Sequence, residues 1–273
     1  MIFPDCTLHD VEQRTPEWHA LRGGVLTASA MGVWLAERPR VRLTIAQMTE
    51  ILSEEGIEVS KGSKHSDLIK LLPDPKAHES LTKEAIGARE KAIARLLGEI
   101  SGCEGPPEME VDPDGPPPRN PSLWAVWNGI RLESEARQRF AELEGVEVKE
   151  CGFALHESKR FGCSPDGHLV GKFIRRGLEI KCPLPETHVR YLMAGTLPDE
   201  YRAQVHGSMA VTGAKAWYFF SYCPGLPPLK LLVKRDQFTE DMLSGLVEFG
   251  EELDRQQARI CELWEETFGK EAA

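Results

Sequence analysis

The seven cysteines of this chain, at positions 6, 103, 151, 163, 182, 223 and 261, include no C-x-x-C pair. Structural zinc ribbons and four-cysteine iron–sulfur clusters draw ligands from such close pairs, so neither is expected. Reduced, scattered thiols are the plain reading. No apolar run approaches the roughly 18 residues a membrane span needs, and the start, M-I-F-P-D-C, lacks a secretory signal's basic and apolar regions. A cytoplasmic protein is the expectation. Positive charge is also short: 33 Lys and Arg stand against 43 Asp and Glu, a formal charge of −10. That argues against a broad basic surface for nucleic acid. A local basic groove is still compatible, and divalent cations can supply positive charge where carboxylates cluster. With 273 residues, 41% hydrophobic, the chain is long enough for one large core or two small ones.

The pattern along the chain predicts two short helices over 14–36. Thr15 caps the first ahead of Pro16, Gly23-Gly24 breaks it, and Thr27 caps the second. Charged helical stretches at 41–55 and 81–100 lead into a Pro/Gly/acid segment that suits neither a central strand nor a continuous helix. Residues 37–121 therefore read as a largely helical insertion or mobile subdomain within a single domain spanning 1–273. Residues 129–144 place Leu132, Ala136, Phe140 and Leu143 on one helical stripe. Strand-like pieces follow at 151–156, at 160–170 around S-P-D-G, and at 176–182. A helix over 199–212 ends at Gly213, A-W-Y-F-F-S-Y and K-L-L-V-K form a hairpin, and 236–273 carries the C-terminal helix. The class is α/β, a central mixed sheet flanked by helices.

Chemistry concentrates in two places. In L-E-I-K (178–181) the two-residue period puts Glu179 and Lys181 on one face, Leu178 and Ile180 on the other. Asp166 sits in the tight turn S-P-D-G, and a hairpin between the two points would bring it beside Glu179. Two converging carboxylates suit Mg²⁺, which takes few protein oxygens and keeps waters for a phosphate substrate. Lys181 would orient or deprotonate an attacking water and stabilise the charge that develops. Glu133, on the preceding helix, is a candidate third acid. Alone, an E-x-K strand is usually a solvated face and a P-D-G turn only a turn. Helix Glu, P-D-G, apolar E-x-K strand and a helix with Gln, in that order, are more specific.

Those residues form the PD-(D/E)xK signature. The chain resembles the lambda exonuclease and YqaJ-type viral recombinase family in four blocks: E-W-H-A-L-R-G-G-V-L-T-A-S (17–29), G-I-R-L-E-S-E-A-R (129–137), C-S-P-D-G (163–167) with L-E-I-K-C-P (178–183), and P-D-E-Y-R-A-Q-V-H-G-S-M-A-V-T-G (198–213). The resemblance implies a restriction-endonuclease-like core. It implies Asp166, Glu179 and the Ile180 carbonyl as metal ligands, Glu133 placing a second Mg²⁺ (with Mn²⁺ as substitute), and Lys181 serving the nucleophile. It also implies that Arg22 and Ser29 bind a 5′-phosphate, in keeping with a helix's first turn and a guanidinium fork. Ser164 is read either as a hydrogen-bond donor to the scissile phosphate or as a turn-stabilising hydroxyl. Gln204 orients the water or a DNA oxygen, and Tyr201 packs beside the site or in the core. His206 reads as structural, and Trp124, Trp127, Trp217 and Phe219 as core. Lys159, Arg160, Lys172, Arg175 and Arg176 form a candidate basic rim. The implied function is a Mg²⁺-dependent phage or prophage 5′→3′ exonuclease in a bacterial host, acting on double-stranded ends. It would work with a single-strand annealing protein and in a ring-like trimer. A structure- or site-specific endonuclease and a non-catalytic DNA-end adaptor stay open as alternatives.

Overall fold

The computed structural model describes residues 5–33, 43–60, 62–72, 83–103, 111–120, 123–170 and 176–268, with the side chains of 83–86 excepted. The chain divides into two compact units: Met1–Ala36 together with Ala92–Ala273, and Glu37–Lys91. The first opens with β1 (Cys6–His9), α1 (Pro16–Arg22), β2 (Leu26–Thr27) and a 3₁₀ helix (Ala28–Val33). The second holds α2 (Ile45–Glu54), α3 (His65–Leu68) and the start of α4 (Lys83–Ile100). Then come α5 (Trp124–Glu144), β3 (Val148–Lys149), β4 (Phe153–His156), β5 (Phe161–Cys163), β6 (Gly167–Leu169) and β7 (Arg176–Lys181). The chain closes with α6 (Pro185–Ala194), α7 (Asp199–Thr212), β8 (Ala216–Ser221), β9 (Leu229–Lys234) and α8 (Gln237–Phe268).

The strands sort into two sheets, β1-β4-β5-β2 and the mixed β3-β6-β7-β8-β9. β7 and β8 are parallel, with Glu179 opposite Phe219, and the other neighbours in the five-stranded sheet are antiparallel. Period two decides what each strand buries. Leu178, Ile180, Tyr218 and Phe220 pack with Leu132, Ala136 and Phe140 of α5. Trp217 and Phe219 point the other way, into the core formed with α7 and α8. Both faces of β7 are thus covered, and Glu179 is buried, where the sequence suggested one face buried and the other presented. α7 is buried around much of its circumference in its second half, 205–212, because β5, α8 and the 3₁₀ helix pack around it.

Several local expectations change. Thr15 does cap α1, accepting from Trp18 N, with Pro16 in the first turn. Thr27 is not a helix cap: it lies in β2, parallel to β5, and a 3₁₀ helix follows, the expected helix's 34–36 lying outside the described residues. Burial of Leu26, Ala28 and Met31 favours that strand addition. Leu143 is exposed, since the i+4 series 132, 136, 140 continues to Glu144, which reaches Tyr218 and Lys230. Trp124 is 43% exposed, its indole N–H donating to the Pro118 carbonyl at 2.7 Å, so it is no core residue. The second unit has its own small core of Leu43, Met48, Leu52, Leu68 and Leu72. It ends at Lys91, short of 121, because Ile93, Leu96 and Leu97 are buried in the main core. Residues 269–273 at the end of the C-terminal segment lie outside the described residues.

Candidate active site

The turn between β5 and β6 carries Asp166 from one sheet to the other. Its backbone N–H donates to the Leu178 carbonyl at 3.0 Å, and its Oδ2 accepts from Ile180 N at 2.6 Å. Asp166 is thereby fixed beside the E-x-K strand. Glu179 Oε1 accepts from Gln204 Nε2 at 2.6 Å and from Lys181 Nζ at 2.5 Å. Lys181 Nζ also lies 5.0 Å from the centre of the Tyr201 ring, and Tyr201 tilts against Phe219. Glu133, one turn before Arg137 on α5, accepts from Arg137 Nη2 at 2.7 Å and from Arg14 Nη2 at 3.0 Å. Arg137 also donates from Nε to the Asp166 carbonyl at 2.7 Å and from Nη1 to Glu150 at 2.5 Å, so one side chain ties α5 to the acidic turn. Glu133, Asp166, Ile180, Lys181 and Tyr201 line a cleft of about 470 Å³.

Electrostatics follow from that crowding. Burial pushes the Asp166 carboxyl well above its usual range, and the negative charges of Glu179 and Glu133 add to the shift. Glu179 is raised too, first by burial, with Lys181 acting against it. Burial disfavours the Lys181 ammonium, but Glu179 and Asp166 outweigh it, and its pKa is raised. Lys181 is therefore held protonated, a charge donor to its neighbours. Among the described residues no three His, Cys, Asp or Glu side chains form a ready metal cage. The donor set nevertheless fits a hard cation that takes few protein oxygens: Ile180 and the half-buried Asp166 line the cleft, and the like-charged, buried Glu179 precedes Ile180 on the strand.

The other expected residues fall as follows. Arg22 Nη1 donates to Ser164 Oγ at 3.2 Å and lies 3.9 Å over the Trp18 ring, whose Nε1 donates to the same Oγ at 3.1 Å. Arg22 and Ser164 are thus joined two residues from Asp166. Ser29 is exposed and hydrogen-bonds to Thr27 at 3.2 Å. His206 is buried, its Nδ1 2.7 Å from Thr239 Oγ1. Trp217 and Phe219 are buried, and Trp127 is half-buried beneath the Arg131 guanidinium. Of the basic rim, Arg160 pairs with Asp254, Arg176 donates to Tyr218 Oη, and Lys159 is exposed. Lys172 and Arg175 lie outside the described residues.

Sequence reasoning missed Arg137, although its i+4 spacing from Glu133 was a visible signal. It also missed Gln13, whose Nε2 donates to the carbonyls of Cys151 and Pro165, and Arg14; neither had a local signal.

A family model, the YqaJ-like viral recombinase domain, matches residues 17–215. No curated protein matches the chain. Among solved structures, the alkaline exonuclease LHK-Exo from Laribacter hongkongensis superposes with a TM-score of 0.56 at 22% identity, over 91% of this chain and 100% of that one. Its complex with dAMP gives the same figures: TM-score 0.56, 22% identity, 91% and 100%. A phage-related exonuclease from Haemophilus somnus 129PT gives a TM-score of 0.49 at 13% identity, over 88% and 96%. The Laribacter likeness shows a shared restriction-endonuclease-like fold. With 199 of its 273 residues spanned by the family model (215 − 17 + 1), this chain belongs to the YqaJ-like viral recombinase family.

Proposed function

We propose that the chain is a metal-dependent deoxyribonuclease, a phage-type 5′→3′ exonuclease that resects double-stranded DNA ends and leaves 3′ overhangs for a single-strand annealing partner. One observation carries the reading: Asp166 is bonded to Ile180 N on the strand where Lys181 and Gln204 grip Glu179, and Asp166 and Lys181 line the cleft. A binding module needs no buried glutamate held against an ammonium with a second carboxylate nearby, because such an arrangement costs desolvation energy. The Laribacter protein is an exonuclease and has been solved with dAMP, which supports the exonuclease arm.

Asp166, Glu179 and the Ile180 carbonyl would hold Mg²⁺, with Glu133 beside a second ion and Mn²⁺ as a substitute. The ion would supply Lewis acidity and a more acidic water. Gln204 fixes the Glu179 carboxylate, Lys181 offers positive charge to the phosphorane oxygens, and Arg22 with Ser164 takes a phosphate next to Asp166. Cytoplasmic action in a bacterial host and a trimeric assembly belong to the same proposal. The test incubates purified protein and Mg²⁺ with linear duplexes bearing 5′-phosphate or 5′-hydroxyl, beside closed circular DNA. Loss of linear DNA alone is expected. Cutting of circles would make the chain an endonuclease, and no cutting an adaptor.

A further inference from the structure

Among the described residues, Arg14 is the one positively charged residue that lines both the 470 Å³ cleft and a second cavity of about 400 Å³, and Glu133 and Ile130 line both as well. Its φ is +69°, in the left-handed region that glycine enters freely and an arginine enters at a cost of about 1 kcal/mol or more. The chain therefore spends backbone strain to keep a long cation at this turn. Glu133 does not require that cation: Arg137, far more buried than Arg14, already pairs with its other carboxylate oxygen. Arg14 is 50% exposed and meets Glu133 through a single N–H, so most of its guanidinium fork is unspent in the described contacts. The second cavity is lined by Asp10, Glu12 and Glu150 as well as by Arg137, whose charge is taken up by Glu133 and Glu150, so its walls stay net negative and repel a polyanion.

We propose that Arg14 is a phosphate-binding residue of this site. It leaves Glu133 to grip a non-bridging oxygen of an internal phosphodiester of the bound strand, at the boundary where acidic walls stop the strand. This rests on the nuclease reading. Arg22, tied to Ser164 on the other side of Asp166, is left for the terminal phosphate, so the two arginines divide end and strand between them.

The test measures duplex binding by anisotropy in EDTA, and steady-state kinetics in Mg²⁺, for wild type, Arg14→Gly, Arg14→Lys, Glu133→Gln and the double variant Arg14→Gly/Glu133→Gln. Arg14→Gly should weaken binding about tenfold and lower the salt slope by about 0.9. Its effect should be equal on 5′-phosphate and 5′-hydroxyl ends, with KM raised more than kcat is lowered. Arg14→Lys should recover part of the affinity. The loss should persist in the Glu133→Gln background. If it vanishes there, Arg14 only neutralises Glu133 and the inference falls. A loss confined to 5′-phosphorylated duplexes would instead assign Arg14 to the terminal phosphate and overturn the division. Because glycine relieves the strain, Arg14→Gly should melt no lower than wild type, and unfolding cannot mimic the result. Normal wild-type cleavage with unchanged Arg14→Gly binding sinks this inference alone, whereas a wild type that neither binds nor cuts DNA sinks the nuclease reading with it.

Discussion

The acidic turn at Asp166 is held by arginines from two other parts of the chain, Arg137 on its backbone carbonyl and Arg22 on Ser164. The convergence of Asp166 and Glu179 followed from turn chemistry and strand period, both local properties. The pairing of Glu133 with Arg14 did not, because Arg14 lies 119 positions away and nothing local marks it. Arg22 looked remote from the chemistry in sequence, yet it bonds to Ser164, beside the acidic turn. Arg22→Ala should therefore remove most of a preference for 5′-phosphorylated ends of about ten- to hundredfold. It should also slow hydroxyl ends by a small factor, because Ser164 loses a donor. Single-turnover rates on the two duplexes check this, and equal slowing of both ends would remove the 5′-phosphate pocket from Arg22. Asp166 carries a second prediction. Its carboxyl is raised above the ordinary 3.8 by burial and by Glu179, so the folded chain keeps a proton that the unfolded chain has lost. Stability then falls as pH rises from 3.8 through the raised value. Asp166→Asn keeps an acceptor for Ile180 N and removes the charge. In EDTA at neutral pH its Tm should exceed wild type by about 2–4 °C for each kcal/mol relieved. Cleavage in Mg²⁺ should fall about a thousandfold, the several kcal/mol that a metal site supplies. A lower Tm with activity retained would show that the carboxylate is neither strained nor needed.

Elements were more legible than their neighbours in space. β7, α7 with its Gly213 end, the β8–β9 hairpin and α8 follow from period and terminators. β1 does not, since C-T-L-H is too short for a period, and α6 lies in a stretch with no stripe long enough to read. That β7 is covered on both faces depends on helices far along the chain. One glycine makes the covering work. A Cβ on Gly177 would stand 2.2 Å from the Trp217 ring, its partner across the parallel β7–β8 pair. Neither tryptophan nor backbone has room to give. Gly177→Ala should thus destabilise by roughly 1–3 kcal/mol as an overpacked core site. It should also reduce cleavage, since Glu179 and Lys181 ride on the same strand two and four residues on. Thermal melts and rates check the pair of effects, and an unchanged Tm would mean that Trp217 is free to move.

For the whole molecule, the formal charge of −10 is the controlling quantity. A duplex approaching a chain of the same sign gains little from counterion release except at a local cluster of cations. Binding should accordingly be weak in EDTA and about tenfold or more tighter with Ca²⁺, which takes the same oxygens at about 2.3–2.6 Å. Turnover should need Mg²⁺ or Mn²⁺, whose tighter shell aligns the reacting atoms. Anisotropy and gel assays in the three conditions decide it, and Ca²⁺ rates equal to those in Mg²⁺ would speak against metal-aligned attack. The site is also assembled across great separations: Gln13 reaches Pro165, 152 positions on, and β7 is backed by β8, which ends at Ser221. Loop closure over such distances makes folding slow, and synthesis from the N-terminus delivers the acids before their support. A ribosome that has released residues up to 181 displays Asp166, Glu179 and Lys181 without the neighbouring strand or Gln204. The nascent chain is therefore silent until β8 has emerged, and fragments ending before residue 221 should leave linear DNA intact.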